Sequence, residues 1–154
     1  MPGPFEARAL LTSSAVSPRE RCLATATLFL SVTTSCASPT AKLTKELEGA
    51  RSWMATGEMV ADRWAANRVP SRYARRSLDE ALTALRSSDR ALASADANRA
   101  AASAARPHIA RARQVTDSLL SLIAANDRRT VPATIGLLAR ERQALDSVIA
   151  KASQ

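Results

Sequence analysis

The chain has 154 residues, a formal net charge of +8 and only 3% aromatic residues. One domain is the natural expectation at this length, and a core so poor in aromatic side chains must be built from Leu, Ile, Val and Ala. The composition therefore favours closely packed helices over a sheet and predicts an all-α protein. The positive charge supports non-specific attraction to phosphates or anionic lipids and does not define a specific site.

The amino-terminal segment has the layout of an export signal. Residues 1–18 contain three prolines and show no helical periodicity. Arg19 and Arg21 then precede an apolar run over residues 22–32, which is too short to span a bilayer comfortably and is typical of a signal-peptide core. Residues 1–35 are thus predicted to be a signal peptide with an irregular leader. Two alternatives remain, an uncleaved membrane anchor and a cytosolic helix with two ordinary cysteines.

Residues 33–36, with the sequence Thr-Thr-Ser-Cys, resemble a lipobox. In this bacterial lipoprotein motif, small residues precede a cysteine that is acylated and becomes the new amino terminus. The resemblance implies a small envelope lipoprotein that is lipidated on Cys36 and faces the periplasm. Ser35-Cys36-Ala37 also fits ordinary cleavage after Ala37, which would give a soluble periplasmic or secreted protein. The resemblance leaves open whether the inner or the outer membrane holds the anchor.

The domain boundaries follow from this leader. Residues 36–41 are predicted to be a tether, and residues 42–154 a helical domain. Cys22 lies inside the signal and Cys36 at its border, and these are the only two cysteines of the chain. The mature domain therefore has no internal disulfide, and its stability must come from packing.

The first predicted helix carries an apolar stripe. Its members share an arc of roughly 140°, the width expected for a helix that buries one face. They are Leu43, Leu47, Ala50, Trp53, Met54, Gly57, Val60, Ala61 and Trp64. Gly57 lies between the two indoles and predicts the close approach of a neighbouring helix. Pro70 is predicted to end this helix, and Ser71 to cap the next one.

Residues 53–73 hold both tryptophans and the only tyrosine. An aromatic stripe at helical spacing is most often core, so the preferred interpretation is a hydrophobic cluster in which the ring of Tyr73 is directed towards Trp64. The alternative is a ligand or partner surface formed by Trp53, Trp64, Arg68 and Tyr73.

Three further apolar patterns predict the remaining helices. The second helix begins near Ser71 and reaches the nineties, after which residues 93–106 are rich in alanine. This stretch is expected to continue the helix, with a candidate interruption at 96–98, and forms either a protruding arm or a tight seam between helices. Pro107 predicts a kink or restart, and Thr130 is expected to cap a last helix with Pro132 in its first turn. The predicted architecture is an antiparallel bundle of three to four helices.

Residues that could carry chemistry are few. His108 is the only histidine, and we expect it to be an exposed or capping residue. Glu58 and Asp62 are neighbours on a helix and fit a surface charge cluster better than an acid/base dyad. Asp89 is expected to pair within its own helix, with Arg86 or Arg90.

Known catalytic motifs are also missing from the sequence. There is no glycine-rich phosphate loop and no Gly-x-Ser-x-Gly elbow. The sequence thus predicts no enzyme activity, no cofactor and no metal.

Two hypotheses for the function follow. The first is a lipid-anchored or periplasmic interaction or structural protein, which packs against another envelope protein or a second copy of itself. The second is a small-ligand binding protein with a tryptophan-lined pocket between its helices. Nucleic acid is not an expected partner, because export removes the chain from it and the arginines are spread along all the helices.

Overall fold

Four helices that alternate in direction make up the described part of the chain. The computed structural model describes residues 39–95 and 99–152, and its helices are α1 (Pro39–Ala65), α2 (Ser71–Ala93), α3 (Arg99–Ala124) and α4 (Val131–Ala152). Each helix packs on the next, and α4 packs back on α1. The predicted all-α antiparallel bundle is confirmed. The predicted signal segment, Cys36 and residues 37–38 lie outside the described residues.

The first helix begins earlier than expected. Its first residue, Pro39, falls within the segment 36–41 that was predicted to be a tether. Proline suits the first position of a helix, because the backbone N–H that it lacks would have no partner there. Within the described residues, helix therefore already covers positions 39–41 of the predicted tether.

The core contains apolar side chains from all four helices. Eight of the nine stripe residues predicted for α1 are buried, and Trp53 is partly buried. The other helices contribute mostly leucine, isoleucine and alanine: Leu78, Leu85, Ile109, Ala112, Leu119, Leu138 and Leu145. Across the bundle, α1 and α3 contact each other, whereas the described residues of α2 and α4 do not. The distance between packed helices depends on the size of the side chains between them, and small side chains on α1 and α3 would allow this diagonal approach.

The alanine-rich stretch is divided between two helices. α2 ends at Ala93, and the hydroxyl of Ser94 donates a hydrogen bond to the carbonyl oxygen of Ala91 at 3.0 Å. The prediction of one continuous helix through 93–106 was therefore wrong, while the candidate interruption at 96–98 lies outside the described residues. Ala102 and Ala105 are buried in the core, so the stretch is a seam between helices and not a protruding arm.

Pro107 lies inside α3 and does not mark the start of a new helix. The ring is exposed, and the helix continues on both sides of it from Arg99 to Ala124. The carbonyl group that loses its helical partner belongs to Ser103, which is also exposed and can be hydrated. The expected restart at Pro107 was wrong because the proline falls on the solvent side of the helix.

Two asparagines end helices at the same end of the bundle. Asn67 and Asn126 have φ angles of 58° and 55°, in the left-handed region that asparagine tolerates better than most residues. After α1, the N–H groups of Asn67 and Arg68 donate to the carbonyl oxygens of Trp64 and Arg63, which is the Schellman pattern. α1 thus ends at Ala65 through Asn67, five residues before the proline that was predicted to stop it.

A substitution at Gly57 tests whether the core needs a glycine there. An added Cβ atom would lie 3.4 Å from a methyl group of Leu138 and 3.5 Å from one of Leu78, both ordinary contacts. We expect Gly57→Ala to raise the free energy of unfolding by up to about 1 kcal/mol through helix propensity. Urea unfolding measures the change.

Gly136→Ala is the matched control, because nothing lies within 4 Å of its added Cβ. A loss of stability at Gly57 together with a gain at Gly136 would show that close helix approach does require the glycine.

Candidate functional site

Trp64 joins three parts of the chain at one end of the bundle. Its side chain is fully buried, and its indole N–H donates a hydrogen bond to the hydroxyl of Ser71 at 2.9 Å. The guanidinium of Arg128, in the loop between α3 and α4, lies 4.5 Å from the ring centroid. The same guanidinium donates to the carbonyl oxygen of Trp64 at 2.5 Å. We call this arrangement the Trp64 joint.

The Trp64 joint agrees with the preferred interpretation of Trp64 as a core residue and corrects the expectation for Ser71. Trp64 has no exposed surface with which to meet a ligand, so it belongs to the core and not to a binding surface. Ser71 is the first residue of α2 and accepts the indole hydrogen bond, while Pro70 occupies the cap position without a side-chain bond. The predicted serine cap was wrong because the hydroxyl bonds to Trp64 instead.

Trp53 lies apart from Trp64, in a groove on the surface. The groove is open, with a volume of about 860 Å³. Its other lining residues all belong to α2: Ser71, Arg72, Arg75, Arg76, Asp79, Glu80, Thr83, Ala84 and Ser87. The groove therefore lies between α1 and α2 and has one indole beside three arginines and two acids, whereas the predicted pocket would hold both tryptophans.

The structure does not assemble the four predicted site residues into one place. Arg68 is exposed in the turn between α1 and α2. Tyr73 is 54% exposed, so the expected packing of its ring towards Trp64 was wrong. Position 73 precedes the buried Ala74, and the next residue along a helix is turned by about 100°. Tyr73 consequently leaves the core face.

Ion pairs join α1 to α4. Arg142 donates to both carboxylate oxygens of Glu58, at 2.8 and 3.3 Å, and Arg51 pairs with Asp146. The hydrogen bond that Glu58 accepts is the main reason why the pKa of Arg142 lies above its usual range. Glu58 therefore holds two helices together and is not part of the predicted surface cluster with Asp62.

A second group of ion pairs joins α2 to α3. The carboxylate of Asp89 lies 2.6 Å from Arg113 and 3.6 Å from Arg106. The predicted pairing of Asp89 within its own helix was wrong. Only the packing of α2 on α3 brings these partners together, and no spacing in the sequence signals it.

His108 contacts the neighbouring helix instead of solvent. Its Nδ1 atom lies 2.8 Å from a carboxylate oxygen of Glu141, and the two side chains are 26% and 17% exposed. Arg111 lies 3.8 Å from the other oxygen of Glu141. The expectation of an exposed or capping histidine was wrong, because Pro107 does not begin a helix and His108 therefore lies in the middle of α3.

The loop before α4 is ordered by a carboxylate. Asp127 accepts hydrogen bonds from the hydroxyl of Thr130 at 2.7 Å and from the backbone N–H groups of Arg129 and Thr130. The Thr130 hydroxyl is the main cause that lowers the pKa of Asp127 below 3.8. α4 does begin directly after Thr130, with Pro132 in its first turn as predicted, although the side chain of Thr130 bonds to Asp127.

Five arginines without an ion pair lie at the end of the bundle that contains the Trp64 joint. Arg63 is near the end of α1, Arg68 in the turn, Arg72 and Arg75 at the start of α2, and Arg129 before α4. All five are exposed, and none pairs with a carboxylate of the described residues. We call them the arginine end. In the sequence these residues look evenly spread, since 54 positions separate Arg75 from Arg129.

Metal-binding clusters and membrane-spanning helices are absent from the described part of the chain. Residues 39–95 and 99–152 contain no group of three or more His, Cys, Asp or Glu residues that could hold a metal ion. Within the same ranges, no helix combines the length and the apolar character that a membrane crossing requires.

Comparison with known proteins finds no match among protein-family models, curated proteins or solved structures.

Arg128 and Arg129 provide a matched test of the Trp64 joint. Arg128→Ala removes the stacking cation and a donor to the carbonyl of Trp64, and we expect it to lower the free energy of unfolding by about 1–2 kcal/mol. Arg129→Ala removes an exposed, unpaired side chain and should change it by less than about 0.5 kcal/mol. Thermal or urea unfolding compares the two variants. Equal effects would mean that the contact with Trp64 contributes nothing.

Proposed function

We propose that this chain is a non-catalytic helical interaction protein of the bacterial cell envelope. In this proposal the leader exports the chain, and a lipid on Cys36 holds it at the membrane on the periplasmic side. The lipobox-like residues 33–36 and the position of Pro39 support this arrangement, because the first helix begins three residues after the cysteine. The bundle would then be held close to the membrane surface.

The observation that carries the interaction role is the contrast between two sets of arginines. Arg51, Arg113 and Arg142 pair with acids between helices, where they stabilise the bundle itself. The arginine end makes no such ion pair, because no carboxylate of the described residues lies within 4.0 Å of its five guanidinium groups. Exposed charges of one sign attract a partner of the opposite sign and orient it during encounter.

Intact-mass analysis of the protein extracted from membranes tests the anchor. We expect a chain that begins at Cys36 and carries acyl groups, because acylation and cleavage act on the same cysteine. Cys36→Ala should move the protein out of the membrane fraction, whereas Cys22→Ala, which alters only the signal, should leave the mature mass unchanged. An intact polypeptide with Met1, found in the cytosol, would contradict export and anchoring together.

A second candidate function is the binding of a small ligand in the groove at Trp53. The volume of about 860 Å³ falls within the range of ligand sites, and Arg72 and Arg75 would suit an anionic group. The groove is open, however, whereas ligand sites usually enclose most of their ligand. We therefore place this candidate second.

Tryptophan fluorescence tests the ligand candidate, because the two indoles differ in position. A ligand in the groove should change the emission of Trp53, and the change should disappear in Trp53→Phe, which keeps the buried Trp64 as an internal reference. A response that persists in Trp53→Phe would place the ligand elsewhere.

A further inference from the structure

Several arginines of the described residues form a paired set, whereas the arginine end is a cluster of unpaired ones. Arg86 and Arg90, farther along α2, are also unpaired among the described residues. The paired set has carboxylate partners within 4.0 Å and consists of Arg51, Arg76, Arg106, Arg111, Arg113 and Arg142. The five members of the arginine end have none. Their concentration at one end means that the positive charge of the bundle is not neutralised there.

The chemistry of this cluster favours carboxylates or phosphates as partners. All five side chains are arginines, whose planar guanidinium groups bind such anions through two parallel hydrogen bonds. Tyr73, which is 54% exposed, lies on α2 between Arg72 and Arg75 and adds an aromatic surface. Arg72 and Arg75 also line the groove that reaches Trp53, so a bound chain would have both polar and apolar surface to follow.

The position of the arginine end separates a protein partner from a lipid one. α1 has 27 residues and is therefore about 40 Å long, and the arginine end lies at its far end from Pro39. If Cys36 holds the chain at a membrane, an upright bundle places these arginines well away from the head groups of that leaflet.

Asp62 and Asp79 lie among the arginines, and Asp79 and Glu80 line the groove. The carboxylates of a partner must therefore be spaced to meet Arg72 and Arg75 and to avoid these acids, which a peptide segment allows and a uniformly anionic plane does not.

We infer that the arginine end binds an acidic segment of a partner protein, with its carboxylates on Arg72 and Arg75 and its chain along the groove on α2. This inference rests on the proposed interaction role and names the chemistry of the partner. It does not depend on acylation, so a chain without a lipid on Cys36 would still bind the segment.

Fluorescence anisotropy with a labelled oligoglutamate peptide tests the inference on the full mature chain. We expect binding that Arg72→Glu/Arg75→Glu weakens by about tenfold or more, because two direct carboxylate contacts become repulsive. The matched control is Arg86→Glu/Arg90→Glu. Those two arginines are exposed and unpaired on the same helix, farther from the arginine end, and they give the same change of net charge.

The outcomes separate the alternatives. Binding that the first double variant abolishes and the control largely retains supports the inference. Equal weakening by both variants would overturn it, since only net charge would then matter, and so would the absence of any binding to oligoglutamate. Displacement of the peptide by glycerol phosphate as readily as by unlabelled oligoglutamate would assign the surface to phosphate head groups and overturn the protein partner.

Discussion

The contacts of Trp64 with Ser71 and Arg128 govern how this bundle closes. The indole N–H reaches the start of α2, and a cation from the loop before α4 covers the ring and binds the backbone of α1. One side chain thereby brings together helix ends that are distant in the sequence. Because residues 39–152 contain no cysteine, a noncovalent contact and not a disulfide joins these helix ends.

Charge pairs between helices complement this joint along the rest of the bundle. The hydrophobic effect is non-directional, whereas Glu58 meets Arg142, and Asp89 meets Arg113, at only one alignment of the helices. These groups are partly buried, so removing one partner would leave the other poorly solvated. The pairs therefore select one alignment of the helices, even where their net contribution to stability is small.

Helix positions that depend on neighbouring residues could be predicted from the sequence, whereas contacts between helices could not. The stripe on α1 and the start of α4 after Thr130 depend on spacing and turn chemistry within a few residues, so they could be read directly. The pairing of Glu58 with Arg142, 84 positions away, depends on which helices adjoin. The expectation for Pro107 was wrong for the same reason, because a helix tolerates this proline only if its ring faces solvent in the folded bundle. The arginine end likewise exists only once the turns lie side by side.

The diagonal contact between α1 and α3 affects the cross-section of the four-helix bundle. When two opposite helices of a four-helix bundle approach each other, the other two are pushed outward, and the cross-section becomes a rhombus instead of a square. α2 and α4 then form the two protruding edges. A binding partner would therefore reach α2 from outside the bundle, where the groove beside Trp53 is open.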